Sequence, residues 1–377
     1  MRIHDFMSCL TQNNIDFFTG VPDSQLKELC DFLMKQYDEA SGQHIIAHNE
    51  GGCVGLAAGS YLSTGSVPCV YMQNSGIGNA INPIASLTSP DVYGIPMLFV
   101  IGWRGEPGTK DEPQHVYQGK VTLKLLKDMD ITPFVIGRDT ETTEVEEAMQ
   151  RFQTLFAQGK SAAFVIEKGA FPAEEGYRYR NVYSLKREEA IEAIVASTTG
   201  DIIVSTTGKI SRELFEIRER RGEGHGCDFL TVGSMGHSAM IALGVALQKP
   251  KRRVWCIDGD GAVLMHMGAL STIGARHPHN LNHVVLNNEA HETVGGMPTS
   301  AGISELEGIA ASAGYRYVQT VESIESLQAE LSAMQAIEGP GFLQVKVALG
   351  SRDDLGRPTT STHDNKREFM DFLKEPD

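Results

Sequence analysis

The sequence predicts an α/β protein made of two doubly wound parallel-sheet domains. Short apolar runs alternate with helical patterns in both halves of the chain, and the two halves follow the same plan. The length of 377 residues corresponds to roughly two domains of about 150 residues each. Hydrophobic residues make up 41% and charged residues 21% of the chain, a balance that is typical of a globular enzyme and argues against a disordered chain or a fibre.

The first predicted domain covers residues 1–175. Its first strand lies in IDFFTGV and ends in a Gly-Val-Pro turn, after which Asp23 or Ser24 caps a helix. The apolar face of that helix consists of Leu26, Leu29, Cys30, Leu33 and Tyr37. HIIAH is predicted to be the second strand, and the small-residue segment Gly51 to Ser60 a tightly packed helix. Further strands are predicted in PCVYMQNSG, PMLFVIGW and AAFVIEKG.

Residues 176–186 lose periodicity and are predicted to be a linker to the second domain, residues 187–377. That domain opens with a helix at Arg187–Ser197. Helices are then predicted in SRELFEIRER and HSAMIALGVAL, and strands in DIIVSTTG, DFLTVGS, RRVWCIDGDG, HVVLNN and IEGPGFLQVKVAL. The last segment, from Ser351, is predicted to be an extended loop followed by a short terminal helix.

The composition excludes several classes of partner. Lys and Arg number 33 against 48 Asp and Glu, a formal charge of −15, and a surface this acidic repels nucleic acid and anionic membranes. The longest apolar stretch, Ile95 to Trp103, is far too short to span a bilayer. No signal-peptide pattern is present at the N-terminus, and the six scattered cysteines include no CxxC pair. We therefore expect a cytoplasmic protein with reduced, buried cysteines and no zinc ribbon.

The most specific chemical signal joins two strand ends. Gly259-Asp260-Gly261 ends the strand VWCID, and 25 residues later Asn287-Asn288 ends the strand HVVL. In open parallel sheets, ligands bind at the carboxyl ends of the strands. Glycines let the backbone approach a phosphate, and carboxylate and amide oxygens suit Mg²⁺. Gly-Asp-Gly alone is a common turn, so the paired asparagines on the next strand carry the prediction.

In these motifs the sequence resembles the thiamine-diphosphate-dependent decarboxylases. The resemblance implies a pyrimidine-binding first domain, a diphosphate-binding second domain and no middle domain. It also implies that Asp260, Asn288 and the backbone carbonyl of Ala290 bind Mg²⁺. These enzymes need one Glu that contacts N1′ of the aminopyrimidine, and Glu50 in His48-Asn49-Glu50-Gly51 matches that position. Burial would keep such a carboxyl protonated; the alternative is a solvated residue at a helix start.

Other segments of the second half match the same cofactor. In Gly233-Ser234-Met235-Gly236 the Gly233 carbonyl and the Met235 amide are expected to bind the pyrimidine, with the Met235 side chain between the two rings. The bland alternative is a methionine that fills the core. Thr206-Thr207-Gly208 follows a strand and is expected to hold diphosphate oxygens through Thr206 and Gly208, or else to form an ST-turn.

Within this superfamily the chain resembles the phosphonopyruvate decarboxylases. The motifs that carry the resemblance are FFTGVPDS, YMQNSGIGNAINP, IGWRGEPGTKDEPQH, GSMGH, HETVGGMPT and GSRDDLGRPTT. The implied reaction converts 3-phosphonopyruvate to phosphonoacetaldehyde and CO₂ in phosphonate biosynthesis, for example of 2-aminoethylphosphonate. The alternatives are a sulfopyruvate decarboxylase, a protein that binds the cofactor without catalysis, and a dinucleotide-dependent oxidoreductase, which lacks its GxGxxG fingerprint here.

A 2-oxo acid with a second anionic group requires cations in its pocket despite the acidic composition. The candidate substrate-binding residues are Arg104, Lys110, His115, His291, Arg352 and Arg357. Asp23 and His115 match positions that move protons in related decarboxylases. The resemblance also implies a homodimer or larger homo-oligomer with active sites at the subunit interface. Met297 stands where close relatives are expected to have Gln.

Overall fold

The computed structural model describes residues 1–37 and 41–374. Contacts divide the chain into two compact units. The first comprises Met1–Arg178 and Val294–Met297, and the second comprises Tyr179–Thr293 and the described residues from Pro298 onward. This division differs from the predicted boundaries at two places. Residues 179–186 of the predicted linker belong to the second unit, and residues 294–297 belong to the first because Met297 is fully buried in its apolar core.

The first unit is a six-stranded, fully parallel sheet in the order β2-β1-β3-β4-β6-β5. Its strands are β1 Phe18–Gly20, β2 His44–Ile46, β3 Cys69–Gln73, β4 Leu98–Gly102, β5 Thr132–Ile136 and β6 Ala162–Ile166. Its helices are α1 Ile3–Gln12, α2 Lys27–Gln36, α3 Glu50–Thr64, α4 Ile77–Pro83, α5 Pro113–Asp128 and α6 Thr142–Phe156. Short 3₁₀ turns at Ser24–Leu26 and Asn74–Gly76 and a π-turn at Ile84–Thr88 complete the connections.

The second unit contains another six-stranded parallel sheet, in the order β13-β14-β10-β9-β7-β8. Its strands are β7 Ile202–Ser205, β8 Asp228–Leu230, β9 Val254–Gly259, β10 Leu281–Asn287, β13 Tyr317–Val321 and β14 Gly341–Lys346. Two short strands, β11 Ala290–His291 and β12 Met297–Pro298, and the 3₁₀ turns Glu292–Val294 and Ser300–Gly302 follow β10. The helices are α7 Arg187–Ser197, α8 Lys209–Arg221, α9 Ser238–Gln248, α10 Asp260–Met265, α11 Gly268–Arg276, α12 Leu306–Ala313, α13 Ile324–Ala336 and α14 Thr362–Phe372.

Counted along the chain, both sheets have the strand order 2-1-3-4-6-5. The predicted pair of doubly wound parallel sheets is therefore confirmed. Within each sheet, the carboxyl ends of strands 2, 1, 3 and 4 lie next to one another in that order. The direction in which successive strands are added changes between strands 1 and 3. Such a switch point is the usual ligand-binding edge of an open α/β sheet.

Strand burial explains which elements the sequence predicted. Leu98–Gly102 is buried at every position, as expected for a strand covered by helices on both faces. Its sequence is therefore a continuous apolar run, which was predicted as a strand. Strand β5 was not predicted because it lies at the sheet edge, is only half buried and contains Pro133. Among the described residues no helix combines the length and apolarity that a membrane span requires. All six cysteines are free thiols, and five are buried.

Candidate active site

Glu50 is the first residue of α3 and is buried, with 5% of its surface exposed. The helix begins here because Asn49 caps it, its side chain accepting a hydrogen bond from the Gly52 amide at 2.7 Å. Burial raises the pKa of the Glu50 carboxyl, while a hydrogen bond from Asn79 Nδ2 to Oε2, at 2.8 Å, opposes that shift. The alternative of a solvated residue at a helix start is wrong.

The Glu50 carboxyl lies against the backbone of Gly76, which sits in the turn after β3. A Cβ atom at this glycine would collide with the Glu50 carboxyl, so only glycine leaves room for the acid. The Glu50 carboxyl is thus in contact with the Asn79 side chain and with the Gly76 backbone. Both residues lie in NSGIGN, a motif that carried the family resemblance without a role for either residue.

Asp23 follows β1 and is completely buried, which raises the pKa of its carboxyl. Its Oδ2 accepts a hydrogen bond from the Gln25 amide at 2.9 Å, and its Oδ1 accepts one from Gln73 Nε2 at 2.5 Å. Asp23, one of the two predicted caps, therefore caps the 3₁₀ turn Ser24–Leu26, which leads into α2, whereas the N-cap residue of α2 itself is Leu26. A Cβ at Gly102 would also meet the Asp23 carboxyl, so the end of β4 must be glycine here.

Arg104, which follows β4, is held inside the unit by a carboxylate. Its Nε and Nη2 donate to the two oxygens of Asp111 at 2.8 and 2.5 Å, and its Nη1 donates to Ser24 Oγ at 3.0 Å. Burial opposes ionisation of Asp111, but hydrogen bonds from Arg104 and from two backbone amides lower its pKa overall. Asn74 holds the same loop through hydrogen bonds to the Arg104 backbone at both its amide and its carbonyl group. The Arg104 charge is thus largely matched by Asp111.

His115 lies in the first turn of α5 and is buried, with 8% of its surface exposed. Burial and the neighbouring Arg104 lower the pKa of its imidazole, which is therefore neutral near pH 7. Its Nδ1 is buried without a hydrogen-bond partner. Lys110, in contrast, is exposed on the loop before α5.

In the second unit, Asp260 is the first residue of α10 and is buried at the end of β9. Burial raises the pKa of its carboxyl to about 6, and the Thr299 hydroxyl donates to its Oδ2 at 2.5 Å. No Lys or Arg pairs with this buried carboxylate among the described residues, which favours a bound cation.

Asn288 and Ala290 lie in the tight turn after β10. Asn288 Oδ1 accepts a hydrogen bond from the Ala290 amide at 3.1 Å, and its Nδ2 donates to Glu292 at 2.7 Å. Arg187 and Lys209 both bind Glu292 at 2.5 Å and hold its carboxylate in place. Because Asn288 Nδ2 donates to this carboxylate, the orientation of the Asn288 side-chain amide, and so the position of its Oδ1, is fixed. Glu289, between the two predicted ligands, has a left-handed backbone with φ +62°.

The loop after β7 has an accessible backbone at Gly208 and a buried hydroxyl at Thr206. Gly208 has φ +98° and precedes α8, and only one side-chain carbon lies within 4 Å of a Cβ placed there. Thr206 Oγ1 is buried without a hydrogen-bond partner, as are the hydroxyls of Thr231 and Ser238. The ST-turn alternative for Thr206 is therefore wrong. Instead, Thr207 Oγ1 accepts a hydrogen bond from the Gly233 amide at 3.0 Å.

The loop after β8 is strained. Gly233, Ser234 and Gly236 have φ values of +69°, +46° and +84°. Met235, within this loop, is half buried, and its terminal methyl lies close to Gly261, 3.4 Å from a Cβ placed there. The alternative role for Met235, filling the core, fits poorly because the residue is only half buried. Non-glycine residues rarely adopt such backbones unless the surrounding structure requires it.

His291 is the one predicted substrate-binding residue whose ring packs beside the Gly-Asp-Gly turn. It is buried, and two of its ring atoms would lie 3.1 Å from a Cβ at Gly261. Arg352 binds three carboxylates of the second unit, Glu188, Glu216 and Asp354. None of these three is a predicted cofactor-binding residue. Arg357 is exposed.

These features test whether a divalent cation and a diphosphate fit the second unit. The buried Asp260 carboxylate has no cationic partner, glycines leave the backbone accessible, and buried hydroxyls lack partners. All three are what a Mg²⁺ diphosphate would satisfy. Sequence reasoning missed Asn79, Gln73 and Thr299 because each acts through a contact between residues 29 to 50 positions apart in the chain. It also missed Asp111 and Glu292, whose contacts with Arg104 and Asn288 are closer in sequence but lie in loops without a periodic pattern.

Residues 3–126 match the family described as "Thiamine pyrophosphate enzyme, N-terminal TPP binding domain", and residues 206–345 match "Thiamine pyrophosphate enzyme, C-terminal TPP binding domain". Over 99% of its length the chain is 35% identical to a phosphonopyruvate decarboxylase of Streptomyces viridochromogenes and covers 95% of that protein. The chain belongs to the phosphonopyruvate decarboxylase family of thiamine-diphosphate-dependent enzymes.

A second phosphonopyruvate decarboxylase, from Streptomyces hygroscopicus, is 36% identical over 99% of the chain and 94% of that protein. A sulfopyruvate decarboxylase of Methanosarcina acetivorans is 26% identical over 97% of the chain and 96% of that protein. Membership of the phosphonopyruvate decarboxylase family confirms the predicted fold, the decarboxylase class and thiamine diphosphate as cofactor. The Mg²⁺ ion and the roles of individual site residues stay predictions.

Proposed function

We propose that the protein decarboxylates 3-phosphonopyruvate to phosphonoacetaldehyde and CO₂ with thiamine diphosphate and Mg²⁺. The observation that carries this proposal is the 35–36% identity to phosphonopyruvate decarboxylases over 99% of the chain. The second candidate substrate is sulfopyruvate, which is supported by the weaker match to a sulfopyruvate decarboxylase over nearly the same length. We place the reaction in phosphonate biosynthesis.

In this proposal Asp260, Asn288 and the Ala290 carbonyl bind Mg²⁺. Thr206 and the Gly208, Gly259 and Gly261 backbone receive the diphosphate, and Gly233 and Met235 receive the pyrimidine. The support is physical: the Asp260 carboxylate is buried without a cation, and the Thr206 hydroxyl is buried without a partner. A buried carboxylate without a counter-ion and a buried hydroxyl without a hydrogen-bond partner each destabilise the unliganded protein.

When bound, thiamine diphosphate supplies the electron sink that allows a 2-oxo acid to lose CO₂. Glu50 holds the proton that the aminopyrimidine needs, because burial favours its neutral form. Asn79 donates to Glu50 Oε2, so that oxygen must accept and the proton belongs on Oε1. Gly76 leaves the space in which this carboxyl sits.

Asp23 and His115 handle the protons of the substrate in this proposal. The neutral His115 has a buried Nδ1 without a partner, which can accept a proton. The Asp23 carboxyl, whose pKa burial raises, is held at both oxygens by Gln73 and the Gln25 amide. Because burial makes this carboxyl hold its proton more tightly than an exposed Asp does, we assign it the role of proton donor.

Arg104 is the strongest candidate for the phosphonate, because it is a half-buried guanidinium next to His115. Asp111 accepts from Nε and Nη2 and Ser24 Oγ accepts from Nη1, which leaves one N–H group on each of Nη1 and Nη2 for an anion. Lys110, His291, Arg352 and Arg357 stay predictions as substrate ligands. We also propose that the enzyme is a homo-oligomer with active sites at subunit interfaces, which light scattering would test.

The decisive experiment measures CO₂ release and aldehyde formation from phosphonopyruvate and sulfopyruvate in parallel, with thiamine diphosphate and Mg²⁺ present or withheld. The proposal expects cofactor-dependent turnover with phosphonopyruvate as the better substrate. Turnover of sulfopyruvate alone would replace the substrate and keep the cofactor chemistry. Turnover of neither would refute the proposed function.

A further inference from the structure

The turn that carries two predicted metal ligands has an unfavourable backbone. Glu289 lies between Asn288 and Ala290 with φ +62°, a left-handed conformation that costs free energy for a residue with a long side chain. Its amide donates to Asn287 Oδ1 at 2.9 Å, and its carbonyl accepts from the Thr299 amide at 2.8 Å. A strained residue persists only where its surroundings hold it.

Both side-chain oxygens of Glu289 accept hydrogen bonds from residues 179–183, which we call the clamp segment. Tyr183 donates to Glu289 Oε1 at 2.5 Å, and Tyr179 donates to Oε2 at 2.8 Å. Lys346 lies 3.5 Å from Oε1 and 5.5 Å from the centre of the Tyr183 ring. Both oxygens of the Glu289 carboxylate are therefore held by side chains of residues that are not predicted to bind the cofactor.

The same segment also binds the backbone of a predicted ligand. Asn181 Nδ2 lies 3.0 Å from the carbonyl oxygen of Asn288 and 3.0 Å from that of Val347, which follows β14. One side chain therefore ties the Asn288 peptide to the strand beside it. Tyr179, Asn181 and Tyr183 alternate along an extended segment, so their three side chains can reach one face together.

We infer that the clamp segment positions the metal-ligand turn, so that Tyr179, Asn181 and Tyr183 set the affinity of this enzyme for Mg²⁺ and its diphosphate. This inference rests on the proposed function, because it requires Asn288 and Ala290 to be ligands. None of the three residues is a ligand of the ion. They are positioning residues, which act through Glu289 and the Asn288 backbone. Residues behind metal ligands commonly contribute a factor of about 10 to 100 to metal affinity.

The coupling must work in both directions. If the clamp segment favours the binding-competent turn, then binding of Mg²⁺ and thiamine diphosphate tightens the clamp segment by the same free energy. Arg178 immediately precedes the clamp segment and Arg180 lies within it, and both are trypsin sites. Cofactor binding should therefore slow tryptic cleavage at these two arginines.

The test compares the wild-type protein with the double variant Tyr179→Phe/Tyr183→Phe, which removes two hydroxyls and keeps both rings. The matched control is Tyr317→Phe, which removes a hydrogen bond from Tyr317 to Glu330 elsewhere in the same unit. Calorimetry measures thiamine diphosphate binding as Mg²⁺ is titrated. We expect the double variant to need about 10 to 100 times more Mg²⁺, and the control to match the wild type.

Limited trypsin digestion supplies a second readout that is independent of turnover. Mg²⁺ and thiamine diphosphate should protect Arg178 and Arg180 in the wild-type protein and in the Tyr317→Phe control, but not in the double variant. If the double variant does not fold, Asn181→Ala provides the same comparison with one smaller change.

Unchanged Mg²⁺ affinity and unchanged protection in a folded variant would overturn the inference and leave the proposed function standing. A wild-type protein that binds thiamine diphosphate without any dependence on Mg²⁺ would overturn the proposed metal site, and the role of the clamp segment with it. A loss of affinity that is equally large in Tyr317→Phe would mean general destabilisation, and would also overturn the inference.

Discussion

The two units have the same strand order, yet their corresponding strand ends carry opposite chemistry. After strands 1 and 2 of the first sheet the chain places Asp23 and Glu50, two buried carboxyl groups whose pKa values are raised by burial. After the same two strands of the second sheet it places Gly208 and Gly233, both with positive φ. The first edge therefore carries carboxyl groups that retain their protons more tightly than exposed ones do, and the second carries accessible backbone amides and hydroxyl groups.

The residues that follow the third and fourth strands also differ between the two sheets. Gln73, at the end of β3, donates to Asp23, and Arg104 after β4 is bound by Asp111. In the second sheet Asp260 follows the third strand and pairs with no Lys or Arg of the part of the chain that the structure describes, and Asn288 follows the fourth. The first unit satisfies its charges internally, whereas the second leaves an anion for a bound cation. Topology fixes where such groups lie, and only the loop residues decide their chemistry.

The largest effect should come from the acid of the first unit. Glu50→Gln removes the proton that the cofactor needs, and turnover should fall by about 10² to 10⁴-fold. Thiamine diphosphate affinity should change far less, since the diphosphate residues are untouched. The exposed Glu147→Gln is the matched control. Near-normal CO₂ release by Glu50→Gln would contradict the role of this carboxyl.

The second unit should respond to the loss of its anion in a different way. A ligand present at a hundred times its Kd stabilises a protein by about 2.7 kcal/mol. We expect Mg²⁺ and thiamine diphosphate to raise the melting temperature of the wild type and of Asp353→Asn, an exposed control. In Asp260→Asn this shift should be lost. A retained Mg²⁺-dependent shift would show that Asp260 is not a ligand.

A smaller effect tests the surroundings of Glu50. Asn79→Ala removes a hydrogen bond that lowers the pKa of Glu50, so that pKa should rise further. Turnover should fall by about 10 to 100-fold, and any limb of the pH profile governed by Glu50 should move to higher pH. Asn13→Ala, which removes a hydrogen bond to the Cys9 carbonyl, is the control. An unmoved limb would mean that Asn79 has only a packing role.

The smallest effect concerns stability. Because burial raises the pKa of Asp23, the folded protein binds its proton more tightly than the unfolded chain does, and stability is lost as pH rises through the folded pKa. Asn cannot ionise. Asp23→Asn should therefore gain melting temperature relative to the wild type as pH is raised from about 4, the ordinary pKa of Asp, to 8. A difference that is constant over this range would contradict the buried acid.

The sequence predicted most of this fold because buried parallel strands are apolar along their whole length. β4 is of this kind, and so is β9 from Val254 to Ile257. The edge strands β5 and β13 were missed, since they are only partly buried and their patterns are weak. Nothing in the sequence indicated that Tyr179 and Tyr183, in the predicted linker, contact Glu289, more than 100 residues away.

The candidate site divides in the same way. Gly259-Asp260-Gly261, Asn288 and Glu50 were recognisable because each lies at a strand end in a local motif. Their burial was only an expectation, and burial is what raises the pKa values of Glu50 and Asp260. Burial depends on packing by distant segments, which no local pattern encodes.

The sequence by itself determined the two parallel sheets, the cofactor class and the strand ends that carry the chemistry, because periodicity and local motifs are properties of neighbouring residues. Only the tertiary structure decided that Asn79 and Gly76 enclose Glu50, that Asp111 takes one edge of Arg104, and that the clamp segment binds the turn at Glu289. These contacts join residues brought together by folding, and hydrogen bonds between them depend on distances that the order of residues does not contain.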